Sequence, residues 1–523
     1  MRYLVTADEM RRYDKYTSEV LNVPDIVLME RAASGAYDVL TGEIKDLTDP
    51  RLLVICGYGN NGGDGIALAR MLFQHHYDVR VILAGDPDKA SALNLKEISI
   101  AEAYGVSITE ADVSEIADLA GNISRGKLHA DVIIDALFGV GLSRPLREPY
   151  DILAEGINSS GAYIVSLDIP SGVCADGAGP DQICVNADLT ITFGFIKLGQ
   201  ILYPGAEHCG KLVCVDMGID EFSICDGRPR YRTITDFSDI GLPARRTFSN
   251  KGTYGKLLVI AGSDKICGAA YMASKAAFET GVGMIKLITH ADNRESLQGM
   301  LPEAMYSFYD DNTPDEELKS DLEESSDWCD GILIGPGIGT GRTASILTRW
   351  ALLDCDKPVL IDADALKICT DDVDIATALR SGRRSGVIMT PHLGELSYMS
   401  GKSVKEIRET LNVMPYEFAD RMHVTIIAKD ARSIIASSGC EAAVYVNTTG
   451  NNGMATAGSG DVLSGICAGL MVQNEGQLDL FETAVLAAYI HGSCGDAAAV
   501  EHGVRGMTAT DIISAIRTVL GKD

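Results

Sequence analysis

Short runs of apolar, mostly β-branched residues alternate along the chain with longer stretches rich in alanine and polar residues. The first 220 residues contain the runs LLVIC, DVRVILAG, DVIIDALFG, AYIVSLDIPSG, LTITFG and KLVCVDMG. Such alternation is typical of an α/β domain, because a helix usually connects successive parallel strands. We therefore predict a mostly parallel, doubly wound sheet with helices on both faces.

The alternation stops between about Ile224 and Lys251, where the chain is polar and rich in Pro and Arg. It resumes with KLLVIAGSD, GMIKLITH, GILIGPGIG, PVLIDADAL, GVIMTPHLGE, VTIIAKD and AAVYVNTTG, and ends in an Ala/Gly-rich helical tail. A chain of 523 residues exceeds the size at which one hydrophobic core keeps growing. We expect two α/β domains, residues 1–225 and 251–523, joined by a linker at 226–250.

The first helix is predicted from a capping box. In TADEMRRYDKYTSEV, Thr6 precedes Glu9 by three residues, and this spacing lets each side chain accept a hydrogen bond from the other residue's amide.

The net charge of the chain argues against some classes of binding partner. The chain has 73 acidic and 45 basic residues, a net charge of -28, which repels nucleic acids and anionic membranes. Its 13 cysteines form no C-x-x-C pair, and we see no secretion signal or spanning apolar run. We expect a cytoplasmic protein that contacts neither nucleic acid nor membrane, although helix N-termini can still bind a small phosphorylated ligand.

The run GYGNNGGDG, residues 57–65, follows the strand LLVIC with G-x-G-x-x-G spacing. Such glycines let the backbone turn tightly and present amides to an anion, with the next helix expected to begin near Asp64 or Gly65. A plain strand-to-helix turn is the alternative. The acid at position 64 is unusual for an oxidoreductase fingerprint and favours a polar or reactive loop.

Two more predicted strands end in acidic residues followed by flexible loops, Asp135 in IIDALFGVGLSRP and Asp168 in SLDIPSG. Because the carboxyl ends of parallel strands form the ligand crevice, these residues can converge with Asn60, Asn61 and Ser171. The alternative is that each aspartate caps its own loop.

In the second domain, TAGSGDVLSG (456–465) places Gly458, Ser459 and Gly460 before Asp461 and an apolar helix. Free amides at a helix start suit a transferring phosphoryl group, and Asp461 can take a proton from an attacking hydroxyl. Alternatively, Asp461 is an N-cap.

Three other strand ends of this domain carry glycines or polar residues. A lone histidine at a strand end is usually structural, and a lysine is commonly solvated. A functional role for the positions at these three strand ends is therefore supported only by the residues next to them. The positions are Gly335, Gly337 and Gly339, then His392 and Glu395, and finally Lys429 and Asp430.

The motifs NNGGDG, DALFGVGLSRP and LDIPSG, followed by KGTYGKLLVIAGSD, GPGIG, TPHLGE and GNNGMATAGSGD, resemble the bifunctional NAD(P)H-hydrate repair family over nearly the whole chain. That family fuses a Rossmann-like epimerase to a ribokinase-like, ADP- or ATP-dependent dehydratase. The resemblance implies that the substrate is NADH or NADPH hydrated across the 5,6 double bond of nicotinamide. The dinucleotide is then a substrate rather than a coenzyme.

For the epimerase, the resemblance implies a potassium ion held by Asn61, Asp135 and Ser171, and it makes Asp168 the candidate for proton handling. The implied contacts with the hydrate are Asn60, Asn61, Gly62, Gly63, Asp64, Gly139, Val140, Gly141, Leu142, Ser143, Arg144, Pro145 and Asp168.

For the dehydratase, the resemblance implies that Asp461 deprotonates the ring hydroxyl, a phosphoryl group joins it, and phosphate leaves. Mg²⁺ is expected, and ADP is favoured over ATP because fused chains resemble the prokaryotic, ADP-using type. The implied hydrate contacts are Ala269, Gly337, His392 and Asp461, and the nucleotide contacts are Lys429, Asp430, Ala431, Arg432, Ser433 and Gly460.

Two segments depart from the family pattern: AGSGD lacks a double glycine, and AKDAR lacks a glycine after the lysine. These two departures leave the affinity of the chain for its nucleotide undetermined. A ribokinase-type small-molecule kinase and a nucleotide-sensing scaffold are the competing functions, and assembly into a homo-oligomer also stays open.

Overall fold

A computed structural model describes residues 2–142, 144–177, 182–225, 227–242, 245–310, 312–383, 385–439, 443–473 and 477–521. The chain divides into two compact units, Tyr3–Tyr231 and Arg232–Asp523, the second also including residues 1–2. This division falls within the segment 226–250 that we expected to be a linker. The segment is not devoid of structure, because it contains a strand at Tyr231–Thr233 and a short 3-10 helix at Phe237–Asp239.

The first unit alternates strands and helices as predicted. Its strands are β1 Arg2–Val5, β2 Arg51–Cys56, β3 Asp78–Ala84, β4 Ser107–Ala111, β5 Val132–Ala136, β6 Tyr163–Leu167, β7 Leu189–Phe193, β8 Ile196–Lys197 and β9 Lys211–Val215. Its helices are α1 Ala7–Glu19, α2 Asp25–Glu43, α3 Asn60–Gln74, α4 Ala92–Tyr104, α5 Ile116–Ser124 and α6 Tyr150–Asn158.

The main sheet of this unit has the order β4-β3-β2-β5-β6-β7-β9, and all neighbouring strands in it are parallel. The order reverses between β2 and β5, which makes a crevice at their carboxyl ends. Alternate residues of β2 enter different cores: Val54 packs beneath α2 and α3, whereas Ile55 packs on the α5 and α6 side. Burial of both faces explains why these strands are continuous apolar runs.

The capping box of α1 is confirmed. The Thr6 hydroxyl accepts a hydrogen bond from the Glu9 amide, and the Glu9 carboxylate accepts one from the Thr6 amide at 2.8 Å.

The predicted start of α3 near Asp64 or Gly65 was wrong, because the helix begins at Asn60 with Gly59 as its N-cap. Its glycines allow close packing. A methyl group on Gly65 would lie 2.6 Å from the Ala136 side chain, and one on Gly62 would lie 1.8 Å from the Gly57 carbonyl oxygen. Tertiary packing therefore overrides the low helix propensity of glycine.

The second unit contains most of the remaining elements. Its strands are β10 Tyr231–Thr233, which spans the unit boundary, β11 Lys256–Ile260, β12 Met284–His290, β13 Met305–Tyr309, β14 Gly331–Ile334, β15 Val359–Ile361, β16 Val387–Met389, β17 Thr425–Ala428, β18 Ile434–Ser437 and β19 Val444–Val446. Its helices are α7 Gly268–Thr280, α8 Arg294–Met300, α9 Asp315–Trp328, α10 Arg342–Arg349, α11 Asp364–Asp371, α12 Val373–Arg380, α13 Leu393–Ser400, α14 Val404–Glu409, α15 Met414–Met422, α16 Ser459–Gln473, α17 Leu480–His502 and α18 Ala509–Leu520.

Its sheet runs β13-β12-β11-β14-β15-β16-β17-β18-β19. Strands from β13 to β17 are parallel to their neighbours, whereas the β17–β18 and β18–β19 pairs are antiparallel. The loop between β17 and β18 is too short for a crossover helix. The order reverses between β11 and β14, so this unit also has a crevice at a switch point. Within the described ranges, no helix has the length and apolarity to cross a membrane.

Helix α16 lies against α7 because Gly465 brings the two backbones together. A methyl group on Gly465 would lie 2.2 Å from the carbonyl oxygen of Ala273. The prediction is that Gly465→Ala lowers the free energy of unfolding by ~1–3 kcal/mol through overpacking. Calorimetry of the full chain should show a lower melting temperature for the second unit.

Gly299→Ala is the matched control in α8, because nothing lies within 4 Å of the added methyl group. It should stabilise the unit by ~0.4–1 kcal/mol through the unfolded state. Equal effects of the two substitutions would contradict the packing argument.

Candidate functional sites

A cavity of about 710 Å³ opens at the carboxyl ends of β2, β5 and β6 in the first unit. The cavity is lined by the loops whose convergence we predicted from the sequence motifs. The predicted residues in its lining are Asn60, Asn61, Asp64, Gly139, Val140, Gly141, Leu142, Arg144 and Asp168.

Some predicted contacts lie elsewhere. Gly62 and Gly63 are outside the cavity lining, where they pack against the Gly57 carbonyl and the Met29 side chain, and Pro145 is exposed. Ser143 lies outside the described residues.

Asp168 is held in a strained position at the end of β6. Its φ of +62° lies in the left-handed region, which is uncommon for a residue other than glycine and often marks a functional site. Its Oδ2 atom accepts a hydrogen bond from the Val140 amide at 2.8 Å, and its Oδ1 atom lies 2.6 Å from the Nζ atom of Lys197. Gly139 leaves room for this arrangement, because a methyl group there would lie 2.5 Å from Asp168 Oδ2.

Lys197 was missed by the motif analysis, although it lines the cavity and is fully buried. The available signal was a lysine within the largely apolar segment FGFIKLG, since lysine is almost never fully buried unless paired.

Three more carboxyl groups line the same cavity, Asp64 on α3, Asp14 on α1 and Asp86 in the loop after β3. Burial, followed by the charges of Asp168 and Asp14, raises the pKa of Asp64 well above its usual value. Burial also raises the pKa of Asp14, with the charges of Asp25 and Asp168 adding to the effect. Asp14 was not singled out from the sequence because it lies in an ordinary polar helix.

Asp135 and Ser171 lie together beneath the loops. Asp135 accepts hydrogen bonds from the Ser171 hydroxyl at 2.7 Å, the Ser171 amide, the Ser166 hydroxyl and the Leu137 amide. The amide group of Asn61 is buried and has no hydrogen-bond partner among the described residues. Burial raises the pKa of Asp135 despite its four donors.

Asn94 on α4 supports the glycine loop and was also missed. Its amide nitrogen donates to the carbonyl oxygens of Gly57 and Gly59, at 3.1 and 2.9 Å. This residue therefore fixes the loop from behind the cavity.

In the second unit, the loops after β11 and β14 meet. The Gly262 amide donates to the Pro336 carbonyl at 2.8 Å. A methyl group on Gly337, whose φ is +65°, would lie 3.2 Å from the Ala269 side chain. The structure thus brings together Ala269 and Gly337, two of the predicted hydrate contacts.

A buried ion pair lies at the ends of β15 and β17. The Nζ atom of Lys429 is 2.8 Å from Oδ1 of Asp362, whose side chain is almost fully buried. A methyl group on Gly460 would lie 3.2 Å from the same Nζ atom, so the lysine lies beside the start of α16. Asp362 was missed as a site residue, although its strand, PVLIDADAL, was recognised.

The segment after Asp362 links this pair to the glycine loop. Ala363 has a φ of +50°, a second strained residue that is not glycine. The next residue, Asp364, accepts a hydrogen bond from the Gly339 amide at 2.9 Å.

Asp461 lies in the first turn of α16, where the amides have no partner four residues earlier. Burial, followed by the charge of Asp362, raises the pKa of Asp461 to about 6, although Lys429 opposes the shift. Burial alone would lower the pKa of Lys429, but Asp362 and Glu395 raise it, so the lysine stays charged. The site therefore holds an ammonium group beside a carboxyl group poised near neutral pH.

His392 is the N-cap of α13, since its Nδ1 atom accepts hydrogen bonds from the Gly394 and Glu395 amides. The His392 side chain is exposed and lies 3.5 Å from Glu395, and its contact with the hydrate stays a prediction.

The segment 430–433 lies between β17 and β18. Arg432 donates to the Thr448 carbonyl at 2.9 Å, and Ala431 is exposed. Asp430 and Ser433 are partly buried, and the Ser433 hydroxyl donates a hydrogen bond to the Asp430 carbonyl at 3.4 Å.

His491 on α17 was also missed. Its Nε2 atom is 3.3 Å from the hydroxyl of Ser459, the first residue of α16. Burial lowers the pKa of His491 to about 4, so the imidazole is neutral at pH 7.

Comparison with known proteins covers both units. The family model described as NAD(P)H-hydrate dehydratase matches residues 257–518, and that described as YjeF-related protein N-terminus matches residues 25–199. The bifunctional NAD(P)H-hydrate repair enzyme of Thermofilum pendens is 34% identical, over 97% of this chain and 94% of its own. That of Escherichia coli is 32% identical, over 99% and 94%.

A solved structure matches about half of the chain. The ADP/ATP-dependent NAD(P)H-hydrate dehydratase from Bacillus subtilis, co-crystallized with ATP and Mg²⁺, is 29% identical to this chain. The match covers 54% of this chain and 94% of that one, with a TM-score of 0.46.

The raised pKa of Asp461 predicts a gain in stability when its charge is removed. Its pKa rises from 3.8 to about 6 on folding, so above pH 6 the folded state carries the cost of a buried carboxylate. Below pH 3.8 the group is protonated in both states and the cost disappears. Asp461→Asn should raise the free energy of unfolding by ~1–3 kcal/mol at pH 8.

The gain should fall to about half at pH 5, where the folded carboxyl group is already mostly protonated. Melting temperatures at the two pH values measure the effect. Asp327→Asn, an exposed change on α9, is the control. A gain that does not shrink as the pH falls would contradict the assigned cause.

Proposed function

We propose that this chain, which belongs to the family of bifunctional NAD(P)H-hydrate repair enzymes, restores hydrated NADH and NADPH. The first unit interconverts the R and S hydrates, and the second removes water from the S hydrate at the expense of ADP. The observation that carries the proposal is Asp461, which lies at a helix start beside a charged lysine and titrates near neutral pH. That arrangement suits a general base next to a phosphoryl acceptor site.

In the first unit, the hydrate lies in the cavity at the β2–β5 switch point. Epimerisation requires the hydroxyl-bearing ring carbon to lose a bond and reform it on the other face, by ring opening or by loss of water. Either route needs a group that takes a proton and one that gives a proton. Asp168, with its cationic partner, is the base, and Asp64, whose pKa is raised, carries the proton.

The chemistry of the donors near Asn61 fits a potassium ion. The buried Asn61 amide oxygen has no partner among the described residues, and the Asp135 carboxylate and Ser171 hydroxyl are hard oxygen ligands. We propose that these residues hold the ion. Its positive charge would offset the burial of Asp135 and would keep the loops of the cavity in place.

In the second unit, hydroxide is a poor leaving group and must first be activated. Asp461 takes the proton of the ring hydroxyl, and the oxygen then accepts the terminal phosphoryl group of the nucleotide. Phosphate departs with both electrons of the carbon–oxygen bond as the ring nitrogen donates its lone pair. The adjacent ring carbon then loses a proton to the departing phosphate, and the 5,6 double bond forms again. Amides at the start of α16, together with Lys429, stabilise the charge of the transferring group.

We propose that the nucleotide is bound through Lys429, Asp430, Ala431, Arg432, Ser433 and Gly460. Among the described residues, no group of three or more His, Cys, Asp or Glu side chains is arranged to hold a metal. Mg²⁺ is usually bound by one or two carboxylates together with substrate phosphates, and Asp362 and Glu395 offer such oxygens near Lys429. With Mg²⁺ bound, charge on the phosphates is neutralised.

We further propose that the enzyme acts in the cytoplasm, without nucleic acid or membrane partners. The described residues contain no disulfide bond, as expected in a reducing compartment. The net charge of -28 disfavours polyanionic partners.

The deciding experiment supplies the purified chain with a mixture of R and S hydrates, adding ADP or ATP separately. Repair is followed by the near-ultraviolet absorbance of reduced nicotinamide. Complete recovery requires both activities, whereas recovery that stops near the S fraction indicates a silent epimerase. A stable phosphorylated product without recovered NADH would instead identify a kinase.

Asp168→Asn should block epimerisation alone, because the amide cannot take a proton. We expect the rate of interconversion to fall by ~10²–10⁴, while the S hydrate is still dehydrated at the unaltered rate. Chromatography of the two epimers measures the first rate. Asp38→Asn, an exposed change on α2, should leave both rates unchanged, and normal epimerisation by Asp168→Asn would refute this role.

Asp461→Asn should block dehydration alone. We expect kcat for the S hydrate to fall by ~10²–10⁴ because the ring hydroxyl keeps its proton. The epimers should still interconvert, which shows that the first unit is folded. Recovery of reduced cofactor at the unaltered rate would remove Asp461 from the reaction.

A further inference from the structure

Lys197 is a fully buried cation in the wall of the first-unit cavity. It ends β8, whose partner is β1, with Val5 opposite Lys197. A charged side chain at such a position costs free energy unless it is paired and hydrogen-bonded. The residues that contact Lys197 therefore indicate the role of its charge.

The three hydrogens of the Lys197 ammonium group face three acceptors. They are Asp168 Oδ1 at 2.6 Å, Thr192 Oγ1 at 2.9 Å and the Phe193 carbonyl oxygen at 3.0 Å. An ammonium group has three donors and no acceptor. Lys197 is therefore a fixed cation, and no lone pair is free for attack on a substrate carbonyl.

A second link joins the backbones of the same two residues through Gln200. Its side-chain oxygen accepts from the Lys197 amide at 2.8 Å, and its side-chain nitrogen donates to the Asp168 carbonyl at 2.8 Å. Asp168 is thus held by the ammonium group, by the Val140 amide and by Gln200. These three contacts stabilise the strained φ of +62° at Asp168.

We propose that Lys197 is a positioning residue of the epimerase, which holds the Asp168 side chain in one orientation so that Asp168 takes the proton from the substrate hydroxyl. This inference rests on the proposed function of the first unit. Four carboxyl groups line the cavity, Asp14, Asp64, Asp86 and Asp168, and Lys197 bonds directly to Asp168. The lysine thereby selects which of the four serves as the base, since like charges in one site do not all ionise together.

The proton transfers balance with this assignment. In ring opening, Asp168 takes the hydroxyl proton and a carbon–oxygen double bond forms. The carbon–nitrogen bond breaks, its electron pair stays on the ring nitrogen, and that nitrogen takes a proton from Asp64. Reclosure on the other face of the carbonyl returns both protons, so nothing is oxidised or consumed.

In the route through water loss, Asp64 protonates the departing hydroxyl and Asp168 takes a proton from the water that adds to the opposite face. A proton then passes from Asp168 back to Asp64. Both routes therefore need an anionic base held at the same atom, and the role of Lys197 does not depend on which route operates.

The test compares Lys197→Met with Lys197→Arg in the full chain. Methionine has nearly the same length without the charge, and we expect kcat for epimerisation to fall by ~10²–10³ with KM within about twofold. Arginine keeps the charge and should restore at least a tenth of the lost rate. Dehydration of the S hydrate should be unchanged, and Lys211→Met, an exposed lysine on β9, is the matched control.

A double-mutant cycle separates positioning from a general structural effect. If Lys197 acts through Asp168, adding Lys197→Met to Asp168→Asn should lower the rate no further than Asp168→Asn alone. The double variant lacks both charges. Its rate, compared with that of Asp168→Asn, therefore still tests the proposal if Lys197→Met alone fails to fold. Propylammonium added to Lys197→Ala should recover part of the rate, which a purely structural loss would not allow.

Several results would overturn the proposal. They are an unchanged kcat in Lys197→Met, a loss confined to KM, or additive losses in the cycle. Failure of the unaltered chain to interconvert the epimers, while it still dehydrates the S hydrate, would instead overturn the proposed epimerase and this inference with it.

Discussion

Each unit has a lysine bonded to a buried aspartate at the carboxyl edge of its sheet, and the lysine is fully buried in the first unit and partly buried in the second. Lys197 pairs with Asp168 at 2.6 Å, and Lys429 pairs with Asp362 at 2.8 Å. A carboxylate taken from water without a cation is costly and becomes protonated instead. The two lysines hold these aspartates in place, and burial raises the pKa of the neighbouring carboxyl groups of Asp64 and Asp461.

As a consequence, aspartate side chains that are chemically alike have different roles within each unit. In the first unit, Asp168 has the cation and Asp64 has the raised pKa. In the second unit, Lys429 bonds to Asp362, whereas burial and the charge of Asp362 raise the pKa of Asp461 to about 6. The backbone takes part in both cases, because Asp168 itself and Ala363, next to Asp362, have positive φ. The ion pairs and surrounding hydrogen bonds offset this strain.

A net charge of -28 fits this picture. A strongly acidic chain gains nothing from long-range attraction of a phosphorylated substrate, so binding must come from local donors. Helix starts such as that of α16 and single buried lysines provide them. Cations placed in this way also serve catalysis, because they are fixed before the substrate arrives.

Much of the architecture follows from local sequence. Strands such as LLVIC and KLLVIAGSD, the capping box at Thr6 and Glu9, and the acids at the ends of β5 and β6 were all predictable, because strand burial and capping depend on neighbouring residues. The prediction that failed was one in which packing between distant segments dominates, because α3 begins at Asn60, where its glycines pack against β2 and β5. The antiparallel pairing of β18 at the end of the second sheet had no counterpart among the predictions.

The sequence by itself determined the two α/β units and the strand-end loops in which the chemistry lies, since hydrophobic periodicity and motif spacing are local properties. Only the tertiary structure decided which charges meet. Lys197 lies 29 residues from Asp168, and Lys429 lies 67 residues from Asp362. Nothing in the spacing of such residues indicates that their side chains share one buried volume. Their pairing, and the pKa values that follow from it, come from the desolvation and Coulomb interactions that exist once the sheets have formed.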